Sequence, residues 1–523
     1  MLLKTNWTGA IMLLVLPLIS AAADPLHIEI DRHILAKAKA NSPSKIADDA
    51  EFLRRVSLDF AGRIPTSAEV RRFLSDPAAD KRTKLIDGLL GSGDYALRMT
   101  EFFHIHLMER LGEHPEWNKY LQSSFASNKR WDQMAREILR ADPNDAANRG
   151  AAFFYAKRLE NYGQNPVDYS ALTRDVGRLF LGKDLRCAEC HDHLFIDDYQ
   201  QQHFQGLHAF FQNTFLVDAK TPAVGEKPTT KKIEFMSVFK KVPKQMGPAL
   251  PGGKEIPIPE VKKGEEYDVK PDPRTKAPGK LKFSTLSALA EQLPSKQNDA
   301  FAKNIVNRLW FMLLGRGIVH PLDLHHSGNP PSHPELLDRL AHEFVAHTYD
   351  IKWLLREIAL SQTYQRSSVM PEGKPPAPEL FLTATEKRLS AEQLARAVWH
   401  AAGQPKEPPD TLKAKFAKAF ANPMREPEDE IAADLRSSLF LLNDPAVLAL
   451  LQPQSGNLIE RAAKLDDAAA VEEIYLSVLS RLPTPDEKQD ATKYLAERST
   501  KRVDALGKLA WSLLASTEFC VNH

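Results

Sequence analysis

Cysteine is nearly absent from this chain, with three residues in 523. So few thiols cannot staple a protein of this length, so the fold must rest on apolar cores, which 43% hydrophobic residues can supply. Charge of one sign is also missing. Lys+Arg number 69 against 68 for Asp+Glu, which excludes the basic footprint of a nucleic-acid binder. There is no Gly-rich phosphate loop, no Gly-x-Ser-x-Gly elbow and no carboxylate pair of telling spacing. Beyond the N-terminus no segment reaches the 18 or so continuous apolar residues of a membrane helix.

The N-terminus itself reads as an address. Lys4 is the only charge before Asp24, an apolar stretch runs over 11–19, and alanines fill 21–23. This is the layout of a secretory signal over residues 1–23, cleaved near Ala23, and it predicts a mature chain in the periplasm or outside the cell with no membrane span. An uncleaved anchor is the rival reading. With no cysteine near the cleavage point and no twin arginine, a lipoprotein and folded export are disfavoured.

Helical patterning dominates the rest of the chain, and the predicted class is mainly α. In "DDAEFLRRVSLDF", Phe52, Leu53, Val56, Leu58 and Phe60 fall near one side of a helix. Thr66 with Glu69, Thr484 with Glu487, Ser332 with Glu335 and Ser390 with Gln393 have the spacing of capping boxes. Gly403 is placed to stop the last of these helices. "GRIPTSAEVRRFL" and "SRLPTPDEKQDATKYL" look like one helix–turn–helix used twice. Residues 216–280 differ: they hold 10 of the 36 prolines, with 14 Lys+Arg against 9 Asp+Glu. They predict an irregular linker with a short β-hairpin near "KIEFMSVFK" and a turn at "PGG". The linker would join a helical domain at 24–215 to another at 281–523. Its lysines read as solvated surface, with a docking site for an acidic partner as the sharper alternative.

One stretch carries chemistry: "LRCAECHDH", residues 185–193. Cys187 and Cys190 stand three apart with His191 next. In a chain destined for export this is the pattern of c-type haem attachment. Two thiols at that spacing reach the two vinyl groups on one porphyrin edge, and the adjoining imidazole falls beneath the iron. Cys187 and Cys190 would be thioether anchors and His191 the proximal ligand. Tyr199, Phe204, Leu207, Phe210 and Phe211 form a bulky face that would cover a macrocycle, unless it is ordinary core. A zinc or copper site built on the same three residues, with His193 able to join, is the alternative. A redox disulfide comes last, for want of a βαβ context.

The distal side is open. Met246, in the proline-flanked loop "VPKQMGP", and His208 are the candidates, with His104 and His106 as rivals. His193 is too close in sequence to reach the opposite face, so it reads as a supporting or structural residue. Six of the 17 histidines fall between 320 and 347. "HEFVAH" has one residue too many for a zinc-protease helix, since His342 and His347 stand about 140° apart. His325 and His326 lie in "DLHHSGNPPSHP", where a surface loop is the default and a ligand site the alternative. Cys520, beside Phe519 and Val521, reads as a small buried hydrophobe.

"FLRRVSLDFAGRIPTSAEVRRFL", "LFLGKDLRCAECHDHLF", "NIVNRLWFMLLGRGIVHPLD", "PPSHPELLDRLAHEF" and "SQTYQRSS" together resemble the planctomycete-type, cytochrome-c-like secreted proteins. These pair domains of unknown function 1549 and 1553. "SSLFLLNDPAV" and "STEFCVNH" match later segments of the second domain. The resemblance covers nearly the whole mature chain. It implies that Cys187, Cys190 and His191 are a family feature, and it points to a secreted sulfatase-like neighbour in polymer breakdown. The motif and the export signal themselves predict a secreted c-type haem protein that transfers electrons to or from an extracytoplasmic redox partner. It implies no particular reaction. A non-haem metal-binding or structural accessory protein of such a system is the alternative, and peroxidase-like activity a third. This chain departs from the pattern at Leu194, where relatives carry proline, at His325 and His326, and in a short middle segment.

Overall fold

The computed structural model describes residues 24–523 except 40, 143–144, 162–163, 219, 275–277, 372–374 and 428–439. The expected signal segment, 1–23, lies outside the described residues. The chain is mainly α, with two helical regions and, among the described residues, only two-stranded sheets. The helix signals translate closely. Asp48 caps helix Asp49–Phe60, and Thr66–Glu69, Ser390–Gln393 and Thr484–Glu487 form complete capping boxes. Gly403, at φ +74°, follows the helix that Ser390 opens. Ser332 does not cap its helix. Pro334 takes the first helical position, so the cap moves to His333, and the Ser332 carbonyl accepts Lys37 Nζ instead.

The repeated helix–turn–helix extends to its side chains. Arg63 grips Glu69 and Asp94, and Arg481, at the same offset from its own cap, grips Glu487 and Glu518. Asp94 and Glu518 each lie two residues after a serine, Ser92 or Ser516, that caps its own helix. Helix Ser67–Ser75 of the first copy packs on helix Asp467–Val478 of the second, where Ser67 Oγ donates to Glu473.

The linker contains more β-structure than expected. Three antiparallel pairs form: Thr214–Asp218 with Ala223–Glu226, Ile233–Met236 with Pro243–Met246, and Tyr267–Val269 with Lys280–Leu281. Met246 therefore ends a strand rather than sitting in a loop. "PGG" is a turn, with Gly252 at φ +77°.

The cores do not follow the division at the linker. One cluster pools Phe52, Phe103, Trp131 and Phe180 with Phe301, Trp310 and Leu354 from the far side. A second gathers Leu394, Phe416, Ile474 and Phe519, and draws Leu58 and Ile64 from the N-terminal region. Asp59 sits where the two meet. It is 2% exposed and accepts hydrogen bonds from Tyr364 Oη at 2.8 Å, Lys387 Nζ at 2.6 Å and Asn522 Nδ2 at 2.9 Å. Beside it Arg54 donates to the Phe519 carbonyl, and Arg55 donates to the carbonyls of Tyr364 and Arg366. These bonds clasp helix Asp49–Phe60 to the C-terminal strand Val521–Asn522.

Removing one partner from a buried ion pair strands the other. Asp59→Ala should therefore cost about 3–5 kcal/mol. Urea denaturation checks this: an unchanged midpoint would remove Asp59 from its place at the clasp.

Candidate functional site

The cysteine turn starts from the end of helix Tyr169–Leu181. Gly182, at φ +66°, closes that helix. The next residues pair with the C-terminal region: His325 N donates to the Gly182 carbonyl at 2.9 Å, Asp184 N donates to the Asp323 carbonyl at 3.0 Å, and Lys183 bridges Leu324. Asp184 then accepts the Arg186 N–H, turning the chain into a 3₁₀ turn at Cys187–Glu189. In that geometry residues i and i+3 eclipse, which brings Cys187 and Cys190 to one side. Ala188 between them is fully buried, and both thiols are exposed and unpaired.

The turn is held from three directions. Gln205 Nε2 donates to the Glu189 carbonyl at 3.1 Å, Arg174 pairs with the Glu189 carboxylate, and Val238 N donates to the Cys190 carbonyl at 3.2 Å. The last bond brings in the tip of the hairpin Ile233–Met246. There Phe239 lies over His191, with ring centroids 4.7 Å apart. Val238, Val242 and Phe239 are exposed, Phe239 by 63%. Leu194 and Phe195, just past the motif, are exposed as well, Phe195 by 90%.

His191 Nδ1 lies 2.7 Å from the Asp192 carbonyl. A carbonyl only accepts, so Nδ1 carries the proton and Nε2 keeps its lone pair. Metal-bound imidazoles are oriented in this way. His193 is used differently: its Nδ1 accepts the N–H groups of Phe195 and Ile196 at 3.2 and 3.1 Å, so this nitrogen is unprotonated. It staples the loop after the motif. Asp192 accepts the Gln201 N–H, and that bond, outweighing a small burial effect and helped by Lys240, holds its carboxyl below the usual range.

The face expected to cover a macrocycle does not do so. Tyr199, Phe204, Leu207, Phe210 and Phe211 are all in the first core, because helix Gln201–His208 packs onto helix Tyr169–Leu181. The exposed apolar side chains beside the thiols belong to the hairpin and to 194–195. Of the distal candidates, the Met246 methyl packs on Gly206 of helix Gln201–His208. His208 stacks on Phe204, and its Nδ1 lies 3.0 Å from the Thr173 hydroxyl. His104 accepts from Trp117 Nε1, and His106 lines a separate cavity.

His325 is not a surface residue. Its ring packs on Gly182, with Asn307 Nδ2 at 3.4 Å from Nε2, and burial, then the Arg308 charge, pushes it down to about 4. His326 sits against Tyr199, ring centroids 5.3 Å apart, and Asp198 accepts from Ser327 beside it. The double histidine therefore seats the C-terminal loop against the cysteine segment. His342 and His347 flank Glu343 with largely exposed rings, and His347 stacks on Trp353. Cys520 is half-buried against the second core, and burial pushes its thiol up.

Sequence reasoning missed a polar network behind the turn. Arg178 binds Glu109 through two bonds of 2.6 Å and Asp323 at 2.9 Å, and Arg308 pairs with the same Asp323 and donates to the Arg178 carbonyl. Burial lowers the Arg178 pKa, but Asp323 and Glu109 outweigh it and raise it well above its ordinary value. The signal was there: a charged residue at a core-facing helical position, as Arg308 is within "NIVNRLWFM".

This architecture defines a mainly α protein of two helical regions, with an exposed Cys-x-x-Cys-His turn stitched to their seam. Residues 29–215 match PSCyt2, protein of unknown function (DUF1549), and residues 287–436 match PSD1, protein of unknown function (DUF1553). The chain belongs to the family that pairs these two domains. No curated protein and no solved structure gives a match.

His325 makes the seam sensitive to acid. An unfolded imidazole titrates near 6.5, whereas the folded one titrates at about 4. Between those values the unfolded chain holds more protons, so stability falls as pH drops through the window. The stability advantage of the parent over His325→Gln should shrink by about 2 kcal/mol between pH 7 and pH 4.5. Denaturation at both pH values checks it, and a constant gap would contradict a neutral ring packed on Gly182.

Proposed function

We propose that the protein is a c-type haem protein that passes electrons to or from an extracytoplasmic partner. The observation that carries this reading is the turn itself: two unpaired, exposed thiols at the two ends of a 3₁₀ turn, followed by an imidazole whose Nδ1 proton is already committed to a carbonyl. Cys187 and Cys190 would hold the porphyrin edge through thioethers, and His191 Nε2 would take the iron. Bound, the haem supplies a one-electron iron couple.

The chain's own residues do the positioning. Glu189 and Cys190 anchor the turn through their carbonyls, and Ala188 pins it to the core. Phe239, Val238 and Val242 provide the apolar cover that a macrocycle needs and that water otherwise meets. Leu194 and Phe195 leave an apolar edge for a partner's approach. Met246 and His208 stay the distal candidates, each of which would have to leave its present packing.

A zinc or copper reading is less well supported. Among the described residues no three His, Cys, Asp or Glu side chains converge as a ligand cluster. Such a site would have to draw in a further ligand, and His193, the candidate for it, has its Nδ1 committed to the loop backbone. Thioether attachment asks for no such convergence, because the sulfurs bond to carbon rather than to the metal. We take the chain to act outside the cytoplasm after loss of residues 1–23, a view supported by the apolar stretch and the alanines at 21–23. No helix among the described residues is long and apolar enough to cross a membrane.

The test is a pyridine haemochrome spectrum and an intact mass, on protein made in a host with haem-ligation machinery. We expect a thioether-type α-band and a mass raised by one haem. Cys187→Ala or Cys190→Ala should abolish or weaken covalent attachment, whereas His191→Ala should keep the mass and shift the Soret band. A colourless product whose two thiols alkylate freely would overturn the proposal.

A further inference from the structure

A second site lies away from the cysteines, between the two helical regions. It is a cavity of about 430 Å³, within the usual range for small-molecule sites. Helix Gly93–Met108 forms one wall, and its Arg98, Phe102 and His106 recur every four residues and so share a face. Phe311 and Met312, from helix Asp299–Leu314, line it from the other region.

The charges in this cavity do not balance in the usual way. Of its acidic residues, Asp59 is taken by Lys387, Glu109 by Arg178, and Asp323 by Arg178 and Arg308, while Glu386 is exposed to solvent. Arg98 is 6% exposed, and its Nε is a buried donor without an acceptor. Among the described residues its guanidinium has no hydrogen bond and no ion pair. The carboxylate nearest in sequence, Glu101, is bonded to Arg396. Two turns along the same helix, the His106 Nε2 is also buried and unpartnered. A buried polar group without a partner is costly, and a buried unpaired cation more so.

We infer that this cavity binds a small organic monocarboxylate, with Arg98 as its carboxylate ligand and His106 Nε2 as a second polar contact. The planar guanidinium fork matches a carboxylate through two parallel bonds. Burial, reinforced by Arg308 and Arg178, keeps His106 uncharged, so a single cation awaits a partner and a dianion would remain half-compensated. Phe102 and His106, stacked 6° from parallel, with Phe311 and Met312, offer a ligand's carbon body an apolar bed. The site needs no haem and stands apart from the cysteine turn.

The experiment is calorimetric titration of the full chain with benzoate, cyclohexanecarboxylate, sulfate and phosphate. We expect saturable binding of at least one carboxylate and much weaker binding of the inorganic anions. Arg98→Met should weaken that binding at least tenfold, and should raise the melting temperature of the ligand-free protein by removing an unpaired buried cation. If Arg98→Met does not fold, Arg98→Lys, which keeps the charge and loses the fork, should still bind more weakly than the parent. The inference is overturned if neither carboxylate binds below about 10 mM, if sulfate or phosphate binds as tightly, or if the Arg98 variant that folds binds like the parent.

Discussion

The site depends on one largely buried carboxylate, Asp323. Its side chain takes two arginines, Arg178 and Arg308, from two different helices, while its backbone carbonyl accepts the Asp184 N–H three residues before Cys187. Burying such a group is expensive, and the cost is offset only when every charge finds a partner. Arg178 also satisfies Glu109, and Arg308 also satisfies Asn304 and the Arg178 carbonyl. The network runs on through Asp175 to Arg158, so its charges are held from several helices at once. Such a network fixes the approach to the cysteine turn against the C-terminal region. Two regions far apart in sequence hold the turn jointly. Arg178 and Asp323 also border both the interdomain cavity and a second depression that reaches Asp184 and Arg186. The same residues stand between the cavity and the thiols.

Much of the helical framework was legible because its signals are local. A capping box needs only a few neighbouring residues, and the boxes at Thr66, Ser390 and Thr484 form as spaced. Ser332 failed for an equally local reason, since Pro334 claimed the first helical position. The linker was harder to read. Its strands are two to five residues long, set in a lysine- and proline-rich segment, and too brief for alternation to rise above noise. "VPKQMGP" reads as a loop by composition, yet Pro243 to Met246 pair with Met236 to Ile233. Proline is tolerated there because the strand is an edge.

The missed residues share a different property. Asp59, Arg98, Arg178 and Asp323 owe their meaning to partners far away in the sequence, or to having none. In a helix an arginine at a core-facing phase is visible, but whether it meets a carboxylate, a carbonyl or a cavity is decided by tertiary structure. Arg63 and Arg481 show the limit of local inference from the other side. Their pairing with a glutamate six residues on is recoverable from the repeated segment, whereas the second carboxylates, Asp94 and Glu518, are recoverable only once the helices are docked. His325 and His326 belong here too. A Gly/Pro-rich segment normally runs over the surface, but this one is pressed against Gly182 and Tyr199 because the chain entering the cysteine turn pairs with it.

The placement of apolar side chains around the motif bears on how a prosthetic group would be accommodated. A c-type haem needs two things from its protein: thiols that point outward from a rigid turn, and apolar surface over the macrocycle. The helix after the motif has the aromatic residues but has spent them on the core. The hairpin tip has fewer, Val238, Phe239 and Val242, yet leaves them in water on a surface where contiguous apolar exposure is unfavourable. It is tied to the motif by a bond from the Val238 N–H to the Cys190 carbonyl and by the Phe239 ring against His191. A two-stranded hairpin is marginal by itself, and this one packs on helix Gln201–His208 through Met246 and Gly206. It can therefore shift at small cost to the core, whereas Tyr199, Phe204 and Phe211 cannot. Cover supplied by the hairpin would leave the thiols reachable until attachment is complete, which a lid made of core residues would not.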